Sequence, residues 1–258
     1  LLSFKDVSFS YSTVENRTMT ADIVTPEKDL ADKKWVIGNA TFDLLKGKTY
    51  ALVGPTGGGK TTTASMLARL FDPTLGEVRL MGQDIRTYTP EERTQKIGFI
   101  LQEPFLFSGT VRENILYGNP IASEDSTNKL FLEIENQIKS FDPLLKSFEN
   151  GLDTVIKGAG DGMSLGQKQL IAFMRAIVRQ PDLLILDEAT ANIDTVTESL
   201  LEEALRRLPS HTTKVIIAHR LNTIKDADEI FFVGGGKVTP AGSFENAMDL
   251  LMHNKRES

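Results

Sequence analysis

Four short runs of apolar residues stand out along the chain because no polar residue interrupts them. They are Tyr50–Val53, Ile97–Ile100, Leu183–Leu186 and Val215–Ala218. Unbroken apolar runs of this length are typical of strands buried on both faces of a parallel sheet. The pattern therefore predicts a central sheet built from these segments.

Helical periodicity lies between some of these runs. It predicts helices over residues 62–71, 166–179 and 195–208. The second is expected to stop just before Pro181, since a proline disfavours helix in the residue before it. The third opens on a Thr-x-x-Glu capping-box spacing. Alternating strands and helices favour an α/β fold.

Two regions depart from this alternation. Residues 12–34 are polar and charged, with Pro26 in the middle, and predict a surface loop or mobile insertion. Residues 124–150 carry apolar residues at helical spacing, namely Leu130, Ile134, Ile138 and Phe141. This second region predicts a helical insertion between strands.

Composition narrows the class of protein. The chain has 258 residues, 40% of them hydrophobic, which suffices for one large domain or two small ones. Its net charge of -6 gives no reason to expect nucleic-acid binding, and the absence of cysteine excludes disulfides. The first residues lack a signal-peptide pattern, and no apolar run approaches the ~18 residues of a membrane span. We therefore expect a soluble, cytoplasmic chain, which can still be a piece of a larger protein.

The segment "GPTGGGKTT" matches the phosphate-loop pattern G-x-x-x-x-G-K-[ST]. It follows an apolar run and precedes a helical pattern, as the motif requires. Glycines let backbone N–H groups turn towards an anion, Lys60 can reach the β- and γ-phosphates, and the Thr61 hydroxyl can bind Mg²⁺. The alternative is a glycine-rich turn without a ligand. The residues expected to hold the phosphates here are Gly54, Pro55, Thr56, Gly57, Gly58, Gly59, Lys60, Thr61 and Thr62.

A second acidic segment, "LLILDEAT", ends an apolar run. Asp187 comes at the end of the predicted strand, where it could hold Mg²⁺ through water. Glu188 points to the opposite side of an extended chain and is a candidate general base for an attacking water. The alternative is that both carboxylates only cap a strand.

Five segments of the chain together resemble a known family. "GPTGGGKT", "ILQEPFLFSGTVRENILYG", "MSLGQKQL", "LLILDEATANID" and "IIAHRL" occur in the order found in ATP-binding cassette (ABC) ATPases. The resemblance is to the nucleotide-binding domain of ABC exporters and covers nearly the whole chain; only the 12–34 insertion has no counterpart.

This resemblance implies a P-loop NTPase fold. Its mainly parallel sheet would form a core with an N-terminal antiparallel β subdomain and an inserted helical subdomain. Residues 1–102 and 181–258 would form the core with the β subdomain, and residues 103–180 the helical subdomain with the signature motif. All 258 residues would make one ABC ATPase domain.

The resemblance also implies roles for single residues. Tyr11 is similar to the aromatic that stacks on adenine, although it could be an ordinary tyrosine at a strand end. Gln102 resembles the glutamine that contacts Mg²⁺ and the attacking water. His219 resembles the histidine at the γ-phosphate, and Asp194 the aspartate that faces a partner subunit or caps a helix. The implied catalytic set is Glu188, His219, Gln102 and Lys60, and the implied metal set is Thr61, Gln102 and Asp187.

The stretch "GMSLGQKQL" predicts a helix start in which Ser164 and Gln167 stand at capping-box spacing. In the family that it resembles, this is the signature motif. Ser164, Gly166 and Gln167 would then contact an ATP held by the phosphate loop of a second nucleotide-binding domain, with the helix end serving as an anion site. The resemblance therefore implies a head-to-tail dimer with ATP sandwiched at its interface.

The signature departs from the usual Leu-Ser-Gly-Gly-Gln. Met163 replaces the leucine, and Leu165 replaces the first glycine. Upstream, Gly158 and Ala159 stand where exporters usually carry a Glu-Arg pair. One interpretation is neutral variation. The other is a heterodimeric exporter with unequal sites, in which this chain hydrolyses its own ATP and its signature faces a weaker site on the partner.

The functional hypothesis is an ATP-hydrolysing part of an ABC transporter, expected at the cytoplasmic side of a membrane and contacting it only through separate transmembrane domains. An ABC ATPase of DNA maintenance would need long coiled coils, and a ribosome-associated one usually carries two cassettes. A regulatory module that binds ATP without hydrolysis is the third alternative, which the presence of Glu188 and His219 disfavours.

Overall fold

The computed structural model describes most of the chain, which divides into two compact units. The first unit joins Leu1–Thr89 to Val215–Ser258, and the second is Pro90–Lys214. The described residues are 1–11, 34–119, 136, 145–158, 160, 162–187, 195–217 and 224–257. Three predicted site residues, Glu188, Asp194 and His219, lie outside them, as do nearly all of the 12–34 insertion and most of 124–150.

An antiparallel sheet forms part of the first unit. Its strands are β1 (Leu2–Phe9), β2 (Ile37–Leu44), β4 (Leu75–Leu80) and β5 (Gln83–Asp84), in the order β2-β1-β4-β5. Burial alternates along β2, so the sheet has one face on the core. On that face the rings of Phe4 and Phe42 stack with centroids 4.6 Å apart.

The first unit also contains parallel pairing. Strand β3 (Thr49–Val53) runs parallel to β11 (Glu229–Gly234), which pairs antiparallel with β12 (Lys237–Pro240). The helices of this unit are α1 (Lys60–Leu67) and α6 (Phe244–Glu257), with a 3₁₀ turn at Ile85–Thr87. Apolar residues of β3 and β11 form a buried cluster against which Phe244 and Met248 of α6 pack. Within this unit, the parallel pair β3 and β11 consists of nearly uninterrupted buried strands.

The second unit is richer in helix. Its strands are β6 (Ile97–Ile100) and β9 (Leu183–Asp187), which pair in parallel, and the short antiparallel pair β7 (Gly109–Thr110) and β8 (Val155–Ile156). Its helices are α2 (Pro90–Lys96), α3 (Val111–Leu116), α4 (Leu165–Ile177) and α5 (Thr195–Arg206), with a 3₁₀ turn at Gly151–Asp153. Strand β10 (Thr213–Ile217) spans the boundary between the two units.

Helix α4 packs closely on β6 at Gly98. A Cβ on Gly98 would lie 2.9 Å from Leu184 Cδ1 and 3.3 Å from Ala176 Cβ. Any larger residue would push the helix away from the strand pair, so the glycine sets the distance between them.

The predicted strands and helices are confirmed to within two residues, except that the end of the 62–71 helix was wrong. The 62–71 helix begins at Lys60 and ends at Leu67, because Arg69 takes a left-handed φ of 52° and its guanidinium donates to the carbonyls of Ile85 and Arg86. The 166–179 helix ends at Ile177, since Gln180 has φ 49° and cannot continue it. The division into core and helical subdomain stays a prediction. In the described part of the chain, no helix combines the length and apolar character needed to cross a membrane.

Candidate nucleotide-binding site

The glycine-rich loop of the first unit joins β3 to α1 and lies against the backbone of β11. A Cβ on Gly54 would lie 2.0 Å from the carbonyl oxygen of Val233, and one on Gly58 would lie 2.6 Å from the same atom. Neither distance is possible for a real side chain, so the loop can approach the sheet only because both positions are glycine. The predicted phosphate loop thus has the strand-loop-helix setting that its motif requires.

The N-terminus of α1 is open at the end of this loop. Gly59, its N-cap, has a left-handed φ of 102°, and no side chain caps the helix. A Cβ on Gly59 would lie 2.8 Å from Ile37 Cδ1, which adds a steric reason for glycine. The first N–H groups of a helix and its dipole favour an anion at such an end.

Lys60 places its ammonium group at the loop. Its side chain is buried, with 6% exposed, and its Nζ donates to the carbonyl oxygens of Gly54 (3.0 Å) and Pro55 (2.9 Å). Carbonyl acceptors hold a cation in place without neutralising it. A positive charge therefore sits beside the open end of α1, and Thr61 lies exposed in the first turn of the same helix.

Tyr11 reaches the phosphate loop across 51 residues of sequence. Its hydroxyl lies 2.8 Å from Thr62 Oγ1, and its ring packs edge-on with Phe9 and Phe71. The side chain keeps 44% of its surface exposed. The tyrosine is therefore placed beside α1 with free ring surface, as a base-stacking residue requires, and the hydrogen bond to Thr62 is a contact that the sequence did not predict.

Gln102 and Asp187 lie at one edge of the strand pair in the second unit. Ile100 of β6 pairs with Leu186 of β9, so the residues that follow both strands emerge at the same carboxyl edge. Asp187 is buried, with 6% exposed, whereas Gln102 is exposed. A carboxylate and an amide oxygen are ligands that suit Mg²⁺, which keeps several waters and substrate oxygens as its other ligands.

Helix α4 begins with the predicted capping box. The Ser164 hydroxyl accepts from the Gln167 N–H at 3.1 Å, and the Ser164 N–H donates to Gln167 Oε1 at 3.1 Å. Gln167 Nε2 also donates to the Ser147 carbonyl at 2.7 Å. A hydroxyl that accepts a hydrogen bond keeps its own hydrogen to donate, so the exposed Ser164 can still serve a ligand.

The unusual Leu165 fits this helix start without strain. It is the first helical residue of α4, where no positive φ is required. The left-handed conformations occur earlier, at Gly158, Gly160 and Gly162, with φ of 55°, 83° and 82°. Replacing the usual glycine with Leu165 therefore changes the surface beside Ser164 and not the backbone.

Side chains of α3 and α4 hold the loop after β6. Gln169 Nε2 donates to the Gln102 carbonyl at 3.1 Å, and Arg175 donates to the Phe105 carbonyl at 3.1 Å. Asn114 binds both the N–H and the carbonyl of Phe107, at 2.8 and 2.9 Å. Sequence reasoning missed all three contacts, and for those of Gln169 and Arg175 the reason is distance, because no local pattern indicates a partner 67 or 70 residues away.

An exposed aromatic surface covers the same loop. Phe107 stacks on Tyr117 with ring centroids 3.9 Å apart, and Phe105 lies edge-on to Phe107 with 60% of its surface exposed. The Arg175 guanidinium lies 5.8 Å from the ring centroids of Phe107 and Tyr117. Burial lowers the pKa of Arg175 to about 10, with the nearby charge of Arg179 adding to the effect.

These observations define first a class of protein. A glycine loop between a buried strand and an uncapped helix, with a lysine at the helix start, is the phosphate site of the P-loop nucleotide-binding proteins. The second unit adds an acidic strand end and a serine-capped helix, which are the other parts expected of a cassette ATPase.

Comparison with known proteins then gives the family. The family model described as "ABC transporter" matches residues 37–191, more than half of the chain. The uncharacterised ABC transporter ATP-binding protein YfiC of Bacillus subtilis is 41% identical over 246 residues, which cover 95% of this chain and 36% of YfiC. The ABC multidrug transporter mdr2 of Aspergillus fumigatus is 39% identical over 246 residues, covering 95% of this chain and 28% of mdr2.

A solved structure supports the same assignment. A bacterial Atm1-family ABC exporter with ATP bound superimposes with a TM-score of 0.75 at 31% identity, covering 98% of this chain and 40% of that chain. This chain belongs to the ABC transporter family, as an ATP-binding ATPase domain homologous to those of exporters. The predicted fold class, a mainly parallel α/β sheet with an antiparallel subdomain, is confirmed. The chain spans about a third of the length of the two curated relatives named above.

Proposed function

We propose that this chain binds ATP with Mg²⁺ and hydrolyses it as one of two nucleotide-binding domains in an exporter. The observation that carries the proposal is the phosphate loop, packed against Val233 through two glycines and carrying a buried Lys60 at an uncapped helix end. The membership of the ABC family makes ATP the ligand for this loop.

In this proposal the loop residues bind the phosphates and Tyr11 stacks on adenine. Thr61, Gln102 and Asp187 would hold Mg²⁺, which supplies charge neutralisation at the β- and γ-phosphate oxygens. Glu188 orients or deprotonates the attacking water, while Lys60 and His219 stabilise charge on the transferring group. Glu188, His219 and Asp194 take these roles from the matching family motifs alone, because they lie outside the described residues.

The serine-capped start of α4 completes the site of a second copy or of a related domain. Ser164 is exposed, and its hydroxyl hydrogen remains available to a phosphate oxygen. Gly166 and Gln167 belong to the same helix end, where a phosphate is favoured. ATP would therefore be sandwiched between the phosphate loop of one domain and the signature of another, with Asp194 at the interface.

The exposed aromatic surface formed by Phe105, Phe107 and Tyr117 is a reasonable contact for the transmembrane domains. Large exposed aromatics that stack on each other usually mark an interaction site. The loop carrying two of them also carries Gln102, so a contact there can pass domain closure to the membrane part. The position at the cytoplasmic side of a membrane is part of the same proposal and follows from the similarity to exporter ATP-binding domains.

The altered signature fits two arrangements, a symmetric pair in which the change is neutral and an unequal pair of sites. Leu165 is half-buried next to Ser164 and adds an apolar side chain where the usual glycine leaves the backbone open. A heterodimer in which the partner supplies a regular signature to this chain's ATP would tolerate that change. Full activity of a symmetric assembly made from this chain alone would contradict the heterodimer.

The rival functions predict different behaviour. A regulatory module would bind ATP and never release phosphate. An ABC ATPase of DNA maintenance or of the ribosome would respond to nucleic acid, which the net charge of -6 disfavours. Neither rival has a described structural feature in its favour.

The test compares wild type with Glu188→Gln and Lys60→Ala. We expect Glu188→Gln to bind ATP as well as wild type while phosphate release falls by ~10²-fold or more, the range for loss of a general base. Lys60→Ala should strongly weaken ATP binding itself, which separates the two roles. Undiminished phosphate release by Glu188→Gln would remove Glu188 from the mechanism.

A further inference from the structure

Gln169 is a buried amide in the middle of the apolar face of α4. Its side chain is 0% exposed, and it is followed in the helix by the buried residues Leu170 and Ile171. Its Nε2 donates to the main-chain carbonyl of Gln102 at 3.1 Å. Its Oε1 is buried and has no hydrogen-bond partner within the described part of the chain.

An apolar residue would serve the packing of α4 better than this glutamine. A buried acceptor without a partner is unfavourable, since it has lost its hydrogen bonds to water. Packing alone therefore does not account for a glutamine at this place. The one bond that its amide makes, to Gln102, is the feature that an apolar residue could not supply.

The geometry shows what that bond does. At Gly98, β6 touches α4 through Ala176. Gln169 comes seven residues before Ala176, two turns away on the same face of the helix, and Gln102 comes four residues after Gly98. Helix and strand therefore run antiparallel, and the bond from Gln169 extends their contact beyond the end of β6.

The hydrogen bond from Gln169 to Gln102 lies beyond the end of strand β6, where strand pairing has stopped. Residues 101–107 form no helix or strand, so the Gln102 carbonyl is held by a helix side chain and not by a neighbouring strand. The Gln102 side chain itself is exposed. Gln169 thus fixes the backbone from which the Gln102 side chain projects.

We propose that Gln169 is a positioning residue for Gln102 and joins the signature helix to the loop that presents this glutamine. The proposal rests on the proposed function, in which Gln102 contacts Mg²⁺ and the attacking water. Ser164 caps the same helix five residues before Gln169, a rise of about 7.5 Å. A phosphate that moves the first turn of α4 would through Gln169 also move Gln102.

The direct test replaces Gln169 with methionine, which has a similar shape and no donor. The backbone ¹⁵N order parameters of Gln102 and Glu103 are measured in the 258-residue chain. We expect them to fall from the rigid range near ~0.85 towards ~0.6 in Gln169→Met. Met174→Leu, a buried change on the same helix, should leave them unchanged. Equal order parameters in wild type and Gln169→Met would overturn the proposal.

A second variant guards against a folding defect in the first. Gln169→Glu keeps the size but presents only acceptors to the Gln102 carbonyl while it is ionised. Burial raises the pKa of a carboxyl group, and the protonated form can donate again. The order parameter of Gln102 should therefore recover as the pH falls in Gln169→Glu and not in Gln169→Met. If the Gln102 order parameter of a folded Gln169→Glu variant does not recover at low pH, Gln169 does not position Gln102.

The functional readout separates this inference from the proposed function. We expect Gln169→Met to raise the Mg²⁺ concentration for half-maximal hydrolysis by about tenfold, the scale for loss of a ligand-orienting residue, with metal-free ATP affinity unchanged. Gln102→Ala should shift it in the same direction. If Gln102→Ala leaves the Mg²⁺ dependence unchanged, Gln102 does not contact Mg²⁺ as the proposed function requires. The order parameters would still decide whether Gln169 positions Gln102.

Discussion

The two helix ends that would face ATP are built in opposite ways. The N-cap of helix α1 is Gly59, which has a left-handed conformation and provides no side-chain cap. The N-cap of helix α4 is Ser164, which forms a complete capping box with Gln167. Glycine shapes the first end, and polar side chains shape the second.

The difference implies unequal strength as anion sites. The end of α1 offers its first N–H groups, its dipole and the nearby Lys60 ammonium, which suffices to bind phosphate within one chain. The end of α4 has used one of its N–H groups on Ser164 and offers mainly the serine hydroxyl. We therefore expect the N-terminus of α1 to bind ATP without a second chain. The N-terminus of α4 is expected to contact only an ATP that is already bound to the phosphate loop of another domain.

The largest expected effect comes from removing the charge at α1. Lys60→Ala should weaken ATP binding by about 100-fold, since hydrogen bonds between charged groups are the strong ones. Lys48→Ala is the matched control, because that lysine is exposed and pairs with Asp228 away from the loop. Calorimetric titration measures both. An affinity for Lys60→Ala within twofold of wild type would break the comparison.

Filling the loop with a methyl group should have the next largest effect. In Gly58→Ala the new Cβ would lie 2.6 Å from the Val233 oxygen, so we expect a loss of about 1–3 kcal/mol in unfolding free energy together with weaker ATP binding. Gly38→Ala meets nothing closer than 3.7 Å and should be nearly neutral. Denaturant unfolding of both variants checks this, and equal stabilities would contradict the packing account.

Ser164 should matter for hydrolysis and not for binding by one chain. Ser164→Ala should lower phosphate release by about 10- to 100-fold and cost about 1 kcal/mol through the lost cap. Ser164→Asp keeps the cap but cannot donate, so it should restore stability and not activity. If Ser164→Asp is as active as wild type, Ser164 acts as a helix cap and does not donate a hydrogen bond to the nucleotide.

The smallest effect is expected at Tyr11. Tyr11→Phe keeps the ring and removes the intramolecular bond to Thr62 that holds the ring beside α1, so ATP affinity should fall by no more than about 2- to 10-fold. Tyr11→Ala removes the ring as well and should cost more. Competition binding with ATP and tripolyphosphate distinguishes base contact from phosphate contact. Equal losses for both ligands in Tyr11→Ala would exclude stacking on adenine.

The sequence predicted what depends on local pattern. The buried strands, the phosphate loop between strand and helix, and the Ser164 capping box all involve residues close together in the chain. The end of α1 was placed too late because Arg69 leaves the helix to bind carbonyls 16 and 17 residues further on.

The remaining misses are also long-range. The bond from Gln169 to Gln102 spans 67 residues, and that from Tyr11 to Thr62 spans 51. Periodicity cannot indicate such partners, because the apolar face of α4 would look complete with leucine at 169. The roles of Glu188, His219 and Asp194 stay predictions.

The most direct measurement of the central claim mixes two inactive chains. Lys60→Ala lacks a working phosphate loop, and Ser164→Ala lacks a working signature, so each alone should release little phosphate. In a head-to-tail dimer of the two, one site combines an intact loop with an intact signature. Mixing should then restore about a quarter of the wild-type rate, since half of randomly formed dimers carry one good site of two. A mixture as inactive as its components, while the wild-type chain hydrolyses ATP, would contradict the claim that the two helix ends act on one ATP from separate chains.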